Sequence, residues 1–312
     1  MTAFQYLSAI RLQIRDTVRQ AAANQVLWVL LGACAVVLLF CMGIRIQDGE
    51  SLRAPDDIAL DKPHGFVSLI YGAWRVPLFR DGQAMVHFLL LALGEGVFGI
   101  VGTFLALVMT AGFIPEFLQP ANATVLLSKP TPRWVLLLGR YLGVMTVLSL
   151  YAGVYVVGTW LTFGLCTGFW VNSFLWGLPL LLLGVAVVYS FSAFLGVWTR
   201  SNLVCVVGSI VFWMMCWGMN YGHHTMVVAQ SDVNGSPQVV RGMADACYWI
   251  LPKPADLSMM LHAAVDGGQG DQQLQRYIEL GAFNPAASIL SSLAFIVVMV
   301  ALSAQQLKAK EY

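Results

Sequence analysis

The sequence predicts an all-α, polytopic membrane protein, and three observations carry that expectation. Of its 312 residues, 58% are hydrophobic and only 11% are charged, where a soluble domain carries about a quarter charged residues. Six stretches, 26–44, 86–112, 134–163, 173–198, 203–221 and 285–304, are apolar over a length that meets the ~20 residues a helix needs to cross the hydrocarbon core. Basic residues then crowd one side of the resulting layout. Arg11, Arg15, Arg19, Lys129, Arg133, Arg140, Arg200, Lys308 and Lys310 all fall there, accompanied only by Asp16, Glu116 and Glu311. The two long loops on the other side hold eight basic and twelve acidic residues. Lys and Arg near span ends mark the cytoplasmic side. Both termini are therefore expected in the cytoplasm, in a multi-pass protein of the plasma (inner) membrane whose residues 1–312 form one transmembrane domain. A net charge of +1 gives no case for nucleic-acid binding.

The chain opens with a basic amphipathic stretch, residues 1–22. Leu7, Ile10, Ile14 and Val18 recur at helical spacing, with Arg11, Arg15 and Arg19 beside them. Such a helix suits the headgroup layer, its arginines reaching lipid phosphates; a plain cytoplasmic extension of the first span is the alternative. The first span is too long for a cleaved signal peptide and lies behind polar-patterned residues.

Residues 45–85 form the first outer loop, with Pro55, Pro63 and Pro77 and acids at Asp56, Asp57 and Asp61. They read as a small ordered loop. The second span carries the one acid inside an apolar stretch, Glu95, among Gly94, Gly96 and Gly99. An intramembrane carboxylate is a functional candidate by default, here for a substrate path. The alternatives are a protonated or hydrogen-bonded acid at a close helix or dimer contact, or an acid facing outer-vestibule water. The glycines of this span, with Gly208, Ser209 and Gly218 of the fifth, predict a contact between two copies of the chain along spans two and five.

Between spans two and three, residues 114–133 form a proline-broken, basic connection. Pro115 fits the first position of a helix and Glu116 its first turn. Phe117, Leu118, Val125, Leu126 and Leu127 offer an apolar face, and Pro130 and Pro132 stop the element. An apolar surface on the cytoplasmic side calls for a partner. Read through its charges alone, the same connection only fixes orientation.

The fifth span ends in Met214, Met215, Cys216, Met219, His223 and His224. These are soft or borderline metal ligands, but equally ordinary span residues, and no metal site is assigned. The second outer loop, 222–283, holds an apolar patch at 247–251, a helix-like piece at 256–265 and a glycine-rich tip at 267–270. Of the six cysteines only Cys247 lies clearly in a loop, so no disulfide framework is implied. No phosphate-binding G-x-x-x-x-G-K-[ST] loop occurs, and neither does H-E-x-x-H, a paired Cys-x-x-Cys or G-x-S-x-G. Nothing points to catalysis by this chain or to a bound cofactor.

The segment beginning Ile114-Pro115 and running through Leu126-Leu127-Ser128-Lys129-Pro130, Arg133 and Gly139-Arg140-Tyr141-Leu142-Gly143 resembles the signature of type-2 ATP-binding-cassette (ABC) permeases. Within them it is most similar to the branch of the nitrous-oxide-reductase maturation permease, though Gln119-Pro120-Ala121-Asn122 replaces the glycine-containing turn common there. The resemblance implies an exporter permease driven by a separate ATPase subunit. Two copies of that subunit, binding ATP and Mg, would join two copies of this chain among membrane lipids. It further implies that Ile114, Pro115, Glu116, Phe117, Leu118, Leu126, Leu127, Ser128, Lys129, Pro130 and Arg133 form the ATPase-coupling element. A role in copper-type metalloenzyme maturation, or a scaffold or mechanical role for the same ATPase, is the alternative.

Overall fold

The computed structural model describes residues 3–48, 65–78, 82–119, 132–232, 242, 248, 251–266 and 284–309. Ten α-helices among them are numbered here in chain order. Helix α1 (Ala3–Ala23) and helix α2 (Val26–Met42) meet at Gln25, whose left-handed backbone (φ 61°) breaks the helix, and the pair is bent by 66°. Helix α2 is 17 residues long, at the lower limit for a span. Five further helices are long and apolar enough to cross a membrane, and the bent α1–α2 pair makes a sixth candidate.

The second span is one helical rod, Gln83–Phe117, built from α3 (Gly82–Leu91), a π-helical stretch (Ala92–Gly102), α4 (Thr103–Thr110) and α5 (Phe113–Phe117). Such π-helix usually occurs as single-turn bulges near functional sites; here it covers 11 residues. Neighbours take up the carbonyls it displaces. Tyr155 donates its hydroxyl to the Leu93 carbonyl at 2.8 Å and Thr103 its own to Phe98 at 3.4 Å, while the Phe98 ring stacks against Tyr151 and Tyr155.

Helix α6 (Arg133–Thr167) is the longest element at 35 residues. After a 3-10 turn, Asn172–Trp176, come α7 (Gly177–Thr199) and α8 (Asn202–Asp232). The outer helix α9 (Pro254–Asp266) and the final span α10 (Pro285–Ala309) complete the chain. Helices α6 and α7 and the second span form the centre, and stacked Phe191, Phe212 and Phe295 join α7, α8 and α10. The outward faces of α8 and α10 are apolar and exposed, as at Val207, Val211, Met214 and Val297, which suits lipid or another copy of the chain rather than water.

Two expectations change in the outer region. Residues 45–85 contain a three-stranded antiparallel sheet in the order β1 (Arg45–Asp48), β2 (Gly65–Leu69), β3 (Trp74–Leu78), with Val67 opposite Ile46 and Val76. Strands of four and five residues leave almost no periodic signal. Helix α8, the fifth span, also runs to Asp232, so the second outer loop begins about ten residues later than 222.

Candidate functional site

The basic connection ends in a joint between three elements, and Arg140 is its pin. Its side chain is 3% exposed. It donates from Nε to the Phe113 carbonyl and from Nη1 to Thr17 Oγ1, each at 3.3 Å, and from Nη2 to Gln20 Oε1. The guanidinium carbon lies 5.4 Å from the Phe113 ring and 5.5 Å from that of Phe117. Gln20 passes the chain of bonds on to Glu116 Oε2 at 3.3 Å. A planar, multi-donor cation can hold α1, α5 and α6 at once, which a lysine ammonium could not do with the same geometry.

The glycines around it are seats. A Cβ at Gly139 would stand 2.8 Å from Gln13 Cβ, and one at Gly143 would stand 2.6 Å from Thr17 Cβ and Oγ1. Helix α1 therefore lies directly on the start of α6, burying Gln13, Thr17 and Ala21. Its stripe splits: Ile10, Ile14 and Val18 are half-buried and Leu7 is exposed, while Arg11, Arg15 and Arg19 point outward. Ile114 and Pro115 pack on the backbone of Gly196 in α7, whose Cβ would meet Ile114 Cγ2 and Pro115 Cδ at 3.2 Å each.

This geometry corrects the expected coupling element in two respects. It does not start as a separate helix at Ile114: α5 begins at Phe113 and belongs to the same span as α3 and α4, with Pro115 at its third position. Nor do Phe117 and Leu118 form an outward apolar face. They are 7% and 4% exposed, Phe117 lying beside the Arg140 guanidinium, and Glu116 is the residue that is exposed. Leu126, Leu127, Ser128, Lys129 and Pro130 lie outside the described residues. Arg133 is partly buried and donates to the Leu307 carbonyl at 3.4 Å. That carbonyl lies in the last turn of α10, where a cation is favoured.

The outer end holds two further arrangements. Glu95, in the π-helical stretch, pairs with His262 of α9 at 2.7 Å and lines a cavity of about 290 Å³. Trp213 and Trp217 of α8, Leu181 and Val185 of α7, and Leu257 and Ser258 of α9 form its other walls. Deeper in the protein, Asp256 is fully buried and joins α8, α9 and α10. It meets His224 Nε2 and accepts from the Tyr248 hydroxyl, both at 2.8 Å, and also accepts from Ser288 Oγ. Burial, with Asp256 alongside, pushes the Tyr248 phenol up. Burial pushes the Lys253 ammonium, 4.3 Å from the Tyr248 ring, down, and Asp256 offsets part of that.

His223 stacks on Tyr248 at 3.9 Å. Both histidines of α8 are thus engaged inward, away from the exposed Met214 and Met215. Among the described residues no group of three or more His, Cys, Asp or Glu could hold a metal ion, and the five described cysteines are free.

Two of the four glycines of span two, Gly94 and Gly102, and Gly208 of span five seat side chains of their own chain, while Gly96 and Gly99 meet no other element. A Cβ at Gly94 would meet Leu261 and Phe174, one at Gly102 would meet Tyr151, and one at Gly208 would come within 2.5 Å of Leu195.

A model of the ABC-2 family of transporter proteins matches residues 2–312, nearly the whole chain. The protein belongs to the ABC-2 transporter family. It is thus the multi-pass membrane component, the permease, of an ABC transporter, a type of component that works with an ABC ATPase. No curated protein matches the permease sequence. Sequence reasoning reached Arg140 through its motif without giving it a role. A charge a turn or two inside an apolar stretch was the available signal. The Asp256 network gave none, since its members come from separate segments.

Proposed function

We propose that this permease is the membrane half of an exporter in the plasma membrane, with both termini cytoplasmic, and that residues 114–133 couple it to a separate ATPase. Two permease copies and two ATPase copies form the working unit, with ATP and Mg held by the ATPase. The observation that carries the reading is the Arg140 joint. It fastens the end of span two, the start of span three and α1 into one body beside the basic connection. A force that arrives at the joint therefore reaches α1, the end of span two and the start of span three together. Because Phe117 and Leu118 are turned inward, the contact with the ATPase falls to Glu116 and to the segment from Leu126 to Lys129. The finer assignment to the maturation-permease branch rests on residues 114–143 and identifies no substrate.

The second copy has an apolar face to meet at α8, where Val207, Val211 and Met214 are exposed and Gly218 has nothing within 4 Å of a built Cβ. The test of coupling is co-purification. With the ATPase co-expressed, Leu126→Glu and Lys129→Glu are each expected to release it at least tenfold more readily while the permease still inserts. Retention of the ATPase with unchanged turnover in both variants refutes the coupling assignment.

A further inference from the structure

The turn joining β2 and β3, Ile70–Gly72, turns apolar side chains outward and lies against the end of a span. Ile70, Tyr71 and the adjoining Trp74 are 50%, 69% and 66% exposed. Ile70 and Tyr71 hold left-handed backbone, at φ 51° and 55°, and Gly72 follows at 93°. A β-branched residue in that region is an outlier, and such strain persists only where the surroundings hold it. The end of α2 does so. Tyr71 donates its N–H to the Gly43 carbonyl at 3.1 Å and its hydroxyl to the Leu39 carbonyl at 3.2 Å. Its ring sits so close that a Cβ on Gly43 would stand 3.1 Å from Tyr71 Cδ2.

Exposed apolar groups gathered in this way mark a protein or a membrane surface, and the geometry selects the membrane. From Gly43 to Leu39 the Tyr71 side chain runs back along the last turn of α2, about 6 Å at 1.5 Å per residue. It therefore lies at the depth of the span rather than above it. On that turn Leu39, Phe40 and Met42 are 58%, 44% and 49% exposed, so the tip continues an apolar flank that already suits lipid. That flank is short. At 17 residues α2 is about 25 Å long, against ~30 Å of hydrocarbon, and the tip adds apolar surface where α2 stops. Tyr and Trp are the side chains that favour the boundary between hydrocarbon and headgroups.

Beside the tip the sheet carries positive charge. Strand register sets Arg45 opposite Ser68 and Ser68 opposite Arg75, one row across three strands spaced ~4.8 Å apart. Both arginines are exposed, and Arg45 follows α2 directly after Gly43 and Ile44, where a span gives way to the headgroup layer. The guanidinium fork matches phosphate oxygens.

We propose that the β2–β3 tip anchors the permease in the outer leaflet by binding phospholipid, with Ile70, Tyr71 and Trp74 among the upper acyl chains beside α2 and with Arg45 and Arg75 on the lipid phosphates. The anchor goes beyond the transport reading and uses from it only which leaflet is the outer one.

The experiment places the fluorescent amino acid Anap at Trp74 and, separately, at Ile70 of the full-length permease in nanodiscs of phosphatidylcholine and phosphatidylglycerol. Doxyl-labelled lipid, with the nitroxide high on the acyl chain, is expected to quench both positions several times more strongly than aqueous iodide. Strong quenching by iodide with little from the lipid places the tip in water. Weak quenching by both places it under protein, whether a second copy or another partner. Either result overturns the anchor. At equal mole fraction, doxyl-labelled phosphatidylglycerol should quench Trp74-site Anap more than doxyl-labelled phosphatidylcholine, and Arg45→Gln with Arg75→Gln should remove the difference. Equal quenching by the two lipids with both arginines present, or a difference that survives their replacement, overturns the phosphate contact. Loss of ATPase co-purification in the coupling variants leaves all of these readings unchanged, so the two proposals fail separately.

Discussion

Replacing Gly143 by alanine tests whether α1 belongs to the moving body. The added Cβ would lie 2.6 Å from Thr17 Cβ and Oγ1 and 3.0 Å from Thr17 Cγ2. Ordinary contact begins near 3.4 Å, so α1 must retreat by about 0.8 Å or the Thr17 side chain must be driven out of place. Retreat also stretches the 3.3 Å bond from Arg140 to Thr17 beyond useful length. Overpacking of this kind costs about 1–3 kcal/mol, against at most ~1 kcal/mol gained from alanine's helix propensity. Gly153→Ala is the internal control. It lies on the same helix, has nothing within 4 Å of its Cβ, and should gain the propensity term alone. Thermal unfolding of both variants in one detergent, together with ATPase stimulation of the reconstituted complex, reads the difference. Gly143→Ala should melt several degrees below Gly153→Ala and stimulate the ATPase less. Identical melting of the two variants would refute the seating of α1 on α6.

Arg140→Leu removes the donor shared by Phe113, Thr17 and Gln20, and leaving buried acceptors without their donor costs about 1–3 kcal/mol. It should uncouple ATP turnover from transport, and Arg140→Lys should recover only part of the loss, as read by ATPase activity in proteoliposomes. Asp256→Ala leaves His224, Tyr248 and Ser288 without their shared acceptor and should lower stability by about 3 kcal/mol or more. Asp256→Asn should lose less, as followed by thermal melting. A cysteine placed at Ser128 should react only with reagent on the cytoplasmic side and one at Gly268 only from outside. Labelling of both from one side would break the topology.

Length and polarity made much of this fold legible. The apolar stretches became helices, and residues 256–265 lie inside α9, because a 3.6-residue period survives without its neighbours. What sequence could not show was which surface covers which. Phe117 and Leu118 read as an apolar face, yet both are buried by their own chain, Phe117 beside Arg140 from α6, which no local pattern shows. The Asp256 network behaves alike: His224 and Ser288 each lie 32 residues from Asp256, and no local pattern joins them. Glu95 was visible as an isolated intramembrane acid, but its partner His262 sits in an outer-loop helix, where nothing in the local sequence marks it as a span contact.

The length of α6 gives the joint a mechanical advantage. At 35 residues the helix is roughly 50 Å long, well beyond the ~30 Å of hydrocarbon it has to cross. A tilt of about 5° imposed where Arg140, Gly139 and Gly143 clamp it would sweep its far end through about 4 Å, taking 1.5 Å per residue. That far end carries Gly164 against Trp170 and leads directly to Phe174, which packs at Gly94, the residue before the cavity-lining Glu95. Side chains in close contact cannot absorb a displacement of that size elastically and must repack. A few degrees at the Arg140 end of α6 are therefore a long enough lever stroke to change the packing at its other end.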